Sequence, residues 1–487
     1  MRGYLASSIT VACAAALVLP LSLTSGALAA PPGDVPDVLG GTRGDVADVL
    51  GGVRGDVPDV PGSTRGDVPD VPGSTRSLPL QPLGTAPADR AVQAPVQGLP
   101  RQDVEPFSLV GIVWDDASAH LDGTVEVRTR GIGSWTWSAW QEVQTHNEDH
   151  AADPGTAESQ SGRVRGATAP LWVGASDGVE VRVRQSDRRA GRLPEGMRLE
   201  LVDPGDDPAD TGPITSGPGG EGPGGEGSGA EGPGGEGLGG EGSGAEGSEG
   251  RAPAGGLEIP ALNQLDTEAE AAAAGDLVFD AVTAKPYIGP RPRIITRKGW
   301  GADESLREPD FVYTNSVKAA FVHHSDTGNN YSCQEAPSVL RSIYRYHVES
   351  SGWRDIGYNF VVDKCGNIYE GRAGGVAKPV QGAHTLGFNK NSTGIAVLGS
   401  FSSSNPPAAA VTAVAKLTAW KLGLYGVNPK GRVTLVSGGS GKYAEGTRVT
   451  LNAIAGHRDG FDTDCPGGRL YGKLGTARTA SATYQGR

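Results

Sequence analysis

Ala319 to Ser325 read AAFVHHS, and Gly456 to Gly467 read GHRDGFDTDCPG; these two stretches decide what the C-terminal part of the chain is. The first is an unbroken apolar run ending in two histidines, as expected of a strand buried on both faces. Successive side chains on a strand point to opposite faces, so His323 and His324 diverge and at most one of them joins a given site. The second is a turn-rich loop of Gly, Asp and Pro carrying His457 and Cys465. Imidazole and thiolate are zinc ligands, and three protein ligands leave a fourth tetrahedral position for water. On residue type and spacing alone, the set fits either a metal site or histidines packed in a core.

Two more stretches lie between them: GWRDIGYNFVVDKCGNIYEGR, Gly352 to Arg372, and GAHTLGFNKNSTGIAVLGSF, Gly382 to Phe401. ITRKGWGA, Ile295 to Ala302, precedes them all. In this order the motifs resemble those of peptidoglycan recognition proteins and type 2 N-acetylmuramoyl-L-alanine amidases, over about 185 of the 487 residues. The resemblance implies a zinc amidase that cleaves the bond between N-acetylmuramic acid and L-alanine in peptidoglycan, with Zn2+ held by His323, His457 and Cys465. It also implies that Tyr358 and Thr463 line the metal and assist the reaction. Noncatalytic members of the family lose the cysteine, commonly to serine, and this chain keeps it. The competing reading is a recognition module that binds the wall without turnover.

Other polar residues are softer candidates for holding a muramyl peptide. His347 shares a helical face with Leu340 and Ile343, which fits burial; its family position near Trp353 fits substrate contact equally. His384 and Asn389 stand in a glycine-bounded loop where exposed polar groups would hold ligand. Arg372 has a planar fork suited to a peptide carboxylate or to a neighbouring acid. Glu370 reads as a strand residue that pairs locally rather than as a general base.

The fold expected for residues 293–480 is an α/β domain with a mixed central sheet flanked by helices near 335–350 and 407–424. Six alternating segments in residues 104–205 predict a small all-β, sandwich-like domain; Val125, Val127 and Thr129 oppose Glu126, Arg128 and Arg130. Five of the eight tryptophans fall there: Trp114, Trp135, Trp137, Trp140 and Trp172. They fit core packing or a glycan platform, and the domain is a candidate wall anchor.

The remainder is punctuation. Residues 1–29 read as a secretory signal, with an apolar run from Ile9 through Leu23 ahead of Ala27-Leu28-Ala29. Eleven-residue repeats follow in a linker at 30–103, and a Gly- and Glu-rich linker spans 206–256; Pro and Gly in every copy forbid a helix. A connector at 257–292 and a tail at 481–487 complete the chain. With Cys13 in the signal and Cys465 on metal, Cys333 and Cys365 remain as an even pair in an exported chain and are expected to form a disulfide.

The net charge is −13, yet residues 293–480 carry 22 Lys and Arg against 14 Asp and Glu, a net of +8. The acidic balance argues against a general nucleic-acid binder, and no segment after the signal is apolar enough to span a bilayer. The expected setting is therefore extracellular, at the cell wall, with peptidoglycan as partner; oligomeric state is not legible.

Overall fold

A computed structural model describes residues 73–83, 96–145, 149–185, 193–207, 256–274 and 287–487. The signal-like segment, Cys13, the Gly- and Glu-rich repeat and all but the end of the eleven-residue repeats lie outside the described residues.

Eight strands build the front domain: β1 (Ser74–Pro79), β2 (Gln81–Pro82), β3 (Val96–Trp114), β4 (Gly123–Gly131), β5 (Gln141–Val143), β6 (Gly166–Ala167), β7 (Leu171–Gln185) and β8 (Arg198–Asp203). Their pairing is antiparallel, in the order β1-β8-β3-β7-β4-β5, with β2 and β6 also on β3. Alternation holds as expected: Val125, Val127, Val179, Val181 and Val183 are buried. On the outer face Glu126 stands opposite Arg182 and Arg128 opposite Glu180, each pair hydrogen-bonded, a cross-strand arrangement that stabilises a sheet.

The sheet reaches further upstream than residue 104. β1, β2 and the start of β3 occupy part of the stretch read as linker, and β1 pairs along its whole length with β8. Its proline-containing composition suits an edge strand, where a missing donor breaks no ladder. The tryptophans divide: Trp114 and Trp172 are in the core, whereas Trp135 is 94% exposed. Trp137 and Trp140 lie beneath the guanidinium groups of Arg101, Arg128 and Arg182.

The C-terminal domain opens with β9 (Glu258–Ile259), α1 (Gln264–Ala273) and β10 (Ile294–Ile295). It continues through β11 (Ala319–His324), α2 (Ala336–Arg345), a π-helical turn at Tyr346–Ser350, β12 (Phe360–Val362), β13 (Ile368–Glu370) and β14 (Ser392–Val397). It ends with α3 (Ala408–Gly423), β15 (Arg432–Val436), β16 (Arg448–Asn452), β17 (Ile454–Gly456), α4 (His457–Gly460), α5 (Gly468–Tyr471) and α6 (Leu474–Tyr484). The central sheet is mixed, ordered β17-β11-β14-β12-β13-β10-β9. β17, β11, β14 and β12 run parallel. The connector thus adds β9 to the sheet edge, and α6 carries the domain into the stretch read as tail, where Gln485 is buried.

One face of the sheet packs Val322, Ile395 and Val397 against Val414, Leu417 and Trp420 of α3. Toward α2 a second cluster joins Val361 and Ala396 to Val339, Leu340 and Ile343, and it includes Leu109, Val113, Trp172 and Val202 of the front domain. The front domain is therefore not held by its linker alone: both domains share a core. The Tyr346 hydroxyl donates to the Thr168 carbonyl at 3.0 Å, and Arg341 donates to the Pro204 carbonyl while pairing with Asp207. Gly111 belongs to this contact, since a Cβ there would collide with the Tyr346 ring. Among the described residues no helix is long and apolar enough to cross a membrane.

Candidate metal centre

The parallel register of β11 and β17 builds the centre. Val322 is paired with Gly456, so the next residues, His323 and His457, emerge side by side at the carboxyl ends of adjacent strands, the usual place for a site in a sheet of this kind. Their Nδ1 atoms are 3.1 Å apart. His324 turns to the opposite face, where Nδ1 accepts from the Phe401 amide. The strand alternation anticipated this divergence.

Cys465 is brought in by the loop after α4. The Arg458 amide donates to the Cys465 carbonyl at 3.0 Å, and the Cys465 amide donates to Thr463 Oγ1 at 3.2 Å. This folds the loop back over its own helix and places Sγ 3.8 Å from His323 Nδ1. Thr463 lines a cavity of about 300 Å³ together with Asp149, His150, His324 and Cys465.

A fourth donor comes from the front domain. His150 Nε2 lies 4.0 Å from Cys465 Sγ, and one ligand atom from each of His150, His323, His457 and Cys465 falls within 4.8 Å of the others. All four residues are buried. Tetrahedral bonds of about 2.05 Å to nitrogen and about 2.3 Å to sulfur require ligand atoms roughly 3.3–3.6 Å apart, close to the observed spacing. Asp149 Oδ2 supports the fit: it is a buried carboxylate oxygen with no hydrogen-bond partner, 3.6 Å from His457 Nδ1. The donor set thus fits a bound cation.

The outer nitrogens are held as well. His323 Nε2 is 3.3 Å from His384 Nδ1, and His457 Nε2 is 3.2 Å from the Asp149 carbonyl. Such contacts fix the tautomer that turns Nδ1 toward a metal. His384 is fully buried, and Gly394 on β14 leaves the room its ring occupies. The expectation that His384 is exposed is therefore corrected: its partners are His323, Thr385 and Ser392. Asn389 is also buried, its side-chain oxygen accepting from the amides of His384 and Thr385. Burial pushes the pKa of His323 well below the ordinary imidazole value, helped by His457 and His150. It also pushes the Cys465 thiol well up, helped by Asp149.

Tyr358, just before β12, presents its ring 5.6 Å from that of His323 and 5.8 Å from that of His150. Burial, then the neighbouring Cys465 and Asp149, raises its pKa well above the ordinary phenol value. His347 falls in the π turn, stacked on Trp353 at 4.4 Å, with Nδ1 accepting from the Gly357 amide. Arg372 pairs with an acid, but with one supplied by the front domain: Nη1 and Nη2 donate to the two carboxylate oxygens of Glu158. Glu370 accepts from the Arg297 amide at 3.3 Å, 73 positions away in the chain. Cys333 and Cys365 are disulfide-bonded.

Sequence reasoning missed Asp149, His150, Asp153 and Glu158. The nearest signal was the cluster of Asp, His and Glu around Asp153-Pro154-Gly155, set between two strands of a domain that otherwise alternates regularly.

Two family profiles match the chain: one described as N-acetylmuramoyl-L-alanine amidase over residues 313–468, and one described as Rv3811 N-terminal galactose-binding domain-like over 63–213. Peptidoglycan-recognition protein SC2 of Drosophila melanogaster is 31% identical over 185 residues, which cover 38% of this chain and 85% of that protein. A Homo sapiens N-acetylmuramoyl-L-alanine amidase is 31% identical over 234 residues, 47% of this chain and 35% of that one. Among solved structures, peptidoglycan recognition protein-LE in complex with tracheal cytotoxin is 30% identical, covering 38% of this chain and 92% of that one, with a TM-score of 0.31.

An α/β domain with a buried His and Cys cluster at the ends of parallel strands, behind a galactose-binding-like β-domain, is the class of protein defined here. The chain belongs to the family of peptidoglycan recognition proteins and N-acetylmuramoyl-L-alanine amidases.

Proposed function

We propose that the protein is a zinc-dependent N-acetylmuramoyl-L-alanine amidase that hydrolyses the amide between N-acetylmuramic acid and L-alanine of peptidoglycan, outside the cell. The observation that carries this reading is the approach of His323, His457 and Cys465, two imidazole nitrogens and a sulfur at ligand spacing. These three would hold the metal. When bound, zinc supplies a Lewis acid and a water acidified toward neutral pH.

The chain's own residues do the rest. His384 and the Asp149 carbonyl orient the two imidazoles through their outer nitrogens. Tyr358, kept protonated by burial, offers a hydroxyl proton beside the cluster to the oxygen that gains charge when the amide carbonyl is attacked, and such donors are worth several kcal/mol in a dry site. Thr463 places a second hydroxyl in the cavity that His150 and Cys465 line. Once uncovered, Trp353, His347 and Arg372 would suit contact with a sugar-linked peptide that carries a carboxylate; the His347 ring lies 5.7 Å from that of Tyr358.

Purified peptidoglycan incubated with the wild type and with Cys465→Ala tests this. New amino termini on L-alanine are expected with the wild type and not with the variant. Their absence from the wild type and from the opened variants described next would sink the reading.

A further inference from the structure

The groove that the proposed amidase must offer to substrate is filled by the front domain. From Asp149 to Glu158 the chain crosses the metal centre and the wall beside it. His150 brings a nitrogen to the fourth corner of the donor cluster, where a three-ligand hydrolytic site keeps its water. Asp149 accepts through its carbonyl from the Leu386 amide at 2.9 Å and contacts His457. Asp153 Oδ1 accepts from the Gly387 amide at 2.8 Å and from Asn389 Nδ2 at 2.7 Å. Ala152 packs on Trp353 and Ala383. Glu158 takes both arms of Arg372 in a buried pair.

We propose that this segment is a built-in plug, with His150 as a fourth protein ligand, so that the folded full-length chain is a latent hydrolase that becomes competent only when the segment withdraws. The proposal rests on the zinc reading above. It differs from a passive domain contact in chemistry: a plain interface has no need to place an imidazole among two histidines and a cysteine, nor to bury carboxylates against Arg372 and Asn389. Withdrawal leaves the three C-terminal donors in place and restores an open fourth position.

The segment competes with substrate from within the same molecule, so its hold does not weaken on dilution. Small soluble muropeptides are therefore weak competitors, whereas a polymer that also engages the front domain can shift the balance. No covalent step is involved: on withdrawal the His150 nitrogen would give up its corner of the donor cluster to water, and the Arg372–Glu158 pair would be exchanged for solvated or substrate-bound groups.

The test uses the full-length protein loaded with Co2+ and reads the visible absorption of the metal before and after adding azide, beside peptidoglycan hydrolysis. Three forms are compared: wild type, His150→Ala, and Asp153→Asn/Glu158→Gln, which loosens the plug and leaves all four donors intact. The expected result is a four-coordinate cobalt–thiolate spectrum in the wild type that azide does not change, and an azide-dependent change in both variants. Hydrolysis should rise at least about tenfold in the double variant, as expected when an active form held to a small fraction becomes well populated. A wild-type spectrum that responds to azide as fully as His150→Ala overturns the proposal. If the azide pattern appears and no form cuts peptidoglycan, the closure stands and the amidase reading falls. If no form binds cobalt, both fall together.

Discussion

Arg372 and Glu158, 214 positions apart in the chain, meet in a doubly hydrogen-bonded ion pair, with each terminal nitrogen 2.9 Å from its own carboxylate oxygen and both side chains buried. Removing one member of such a pair leaves a buried charge uncompensated, which costs about 3–5 kcal/mol. Glu158→Ala is therefore expected to destabilise the docked state by that amount. The measurement is hydrogen exchange at Leu386 and Gly387, whose amides donate to Asp149 and Asp153. Exchange there should accelerate on the order of 10²–10⁴-fold, and unchanged protection would show that the pair does not hold the segment.

Cys465→Ser should cut zinc content from one equivalent per chain to a small fraction while the far-ultraviolet circular dichroism stays native. Sites that lose only an outer-shell contact already drop about 10–100-fold in affinity, so loss of a direct thiolate donor should exceed this. Retention of full zinc by the variant would remove Cys465 from the ligand set.

The disulfide closes a loop between positions 32 apart, for which the chain-entropy relation gives about 3.7 kcal/mol of stabilisation. The Cys333→Ser/Cys365→Ser double variant should lose roughly that much in urea unfolding. Its expected consequence is local to the start of α2 and the β12–β13 turn, so zinc binding should survive.

Glu370 carries a pKa raised above the ordinary carboxyl value, chiefly by burial, with the Arg297 amide and charge opposing. A carboxyl whose folded pKa lies above its unfolded one holds its proton more tightly in the native state. Its stabilising contribution is full below the unfolded value near 4.5 and is lost as pH rises through the folded pKa. Glu370→Gln should then be most favourable, relative to wild type, above that folded pKa, and should lose this advantage as pH falls toward 4.5. A difference in unfolding free energy that stays flat across pH 4–8 would contradict the shift.

A bulkier residue at 111 should separate the domains. Gly111→Val drives a side chain into the Tyr346 ring, and overpacking of this kind costs about 1–3 kcal/mol. The outcome to look for is faster proteolysis in the front domain with the C-terminal domain left intact; equal resistance would show that the shared core tolerates the change.

What the sequence made legible was local. The apolar run 319–325 identified β11 and the divergence of His323 from His324, because strand alternation needs no knowledge of neighbours. The alternation of Val125, Val127 and Thr129 likewise marked β4. Long-range placement was not legible. His384 and Asn389 looked exposed because a glycine-bounded loop is usually at the surface, yet the cavity left by Gly394 draws His384 inward and Asp153 covers Asn389. The expected helix over 335–350 holds as far as Arg345 and then widens into a π turn, beside Tyr346 and its bonds to the front domain. His150 could not be assigned, since nothing in its own neighbourhood depends on a partner more than 300 residues away.

The register that sets Val322 beside Gly456 has one more consequence. The His323 and His457 backbones are spaced by main-chain hydrogen bonds between two strands inside a close-packed core, so the sheet itself sets the separation of the pair. Loading the metal then asks for no rearrangement of the sheet. Apo and loaded forms should superpose across β11 and β17, and a metal bound there would be free of the folding cost that burdens sites assembled from flexible chain.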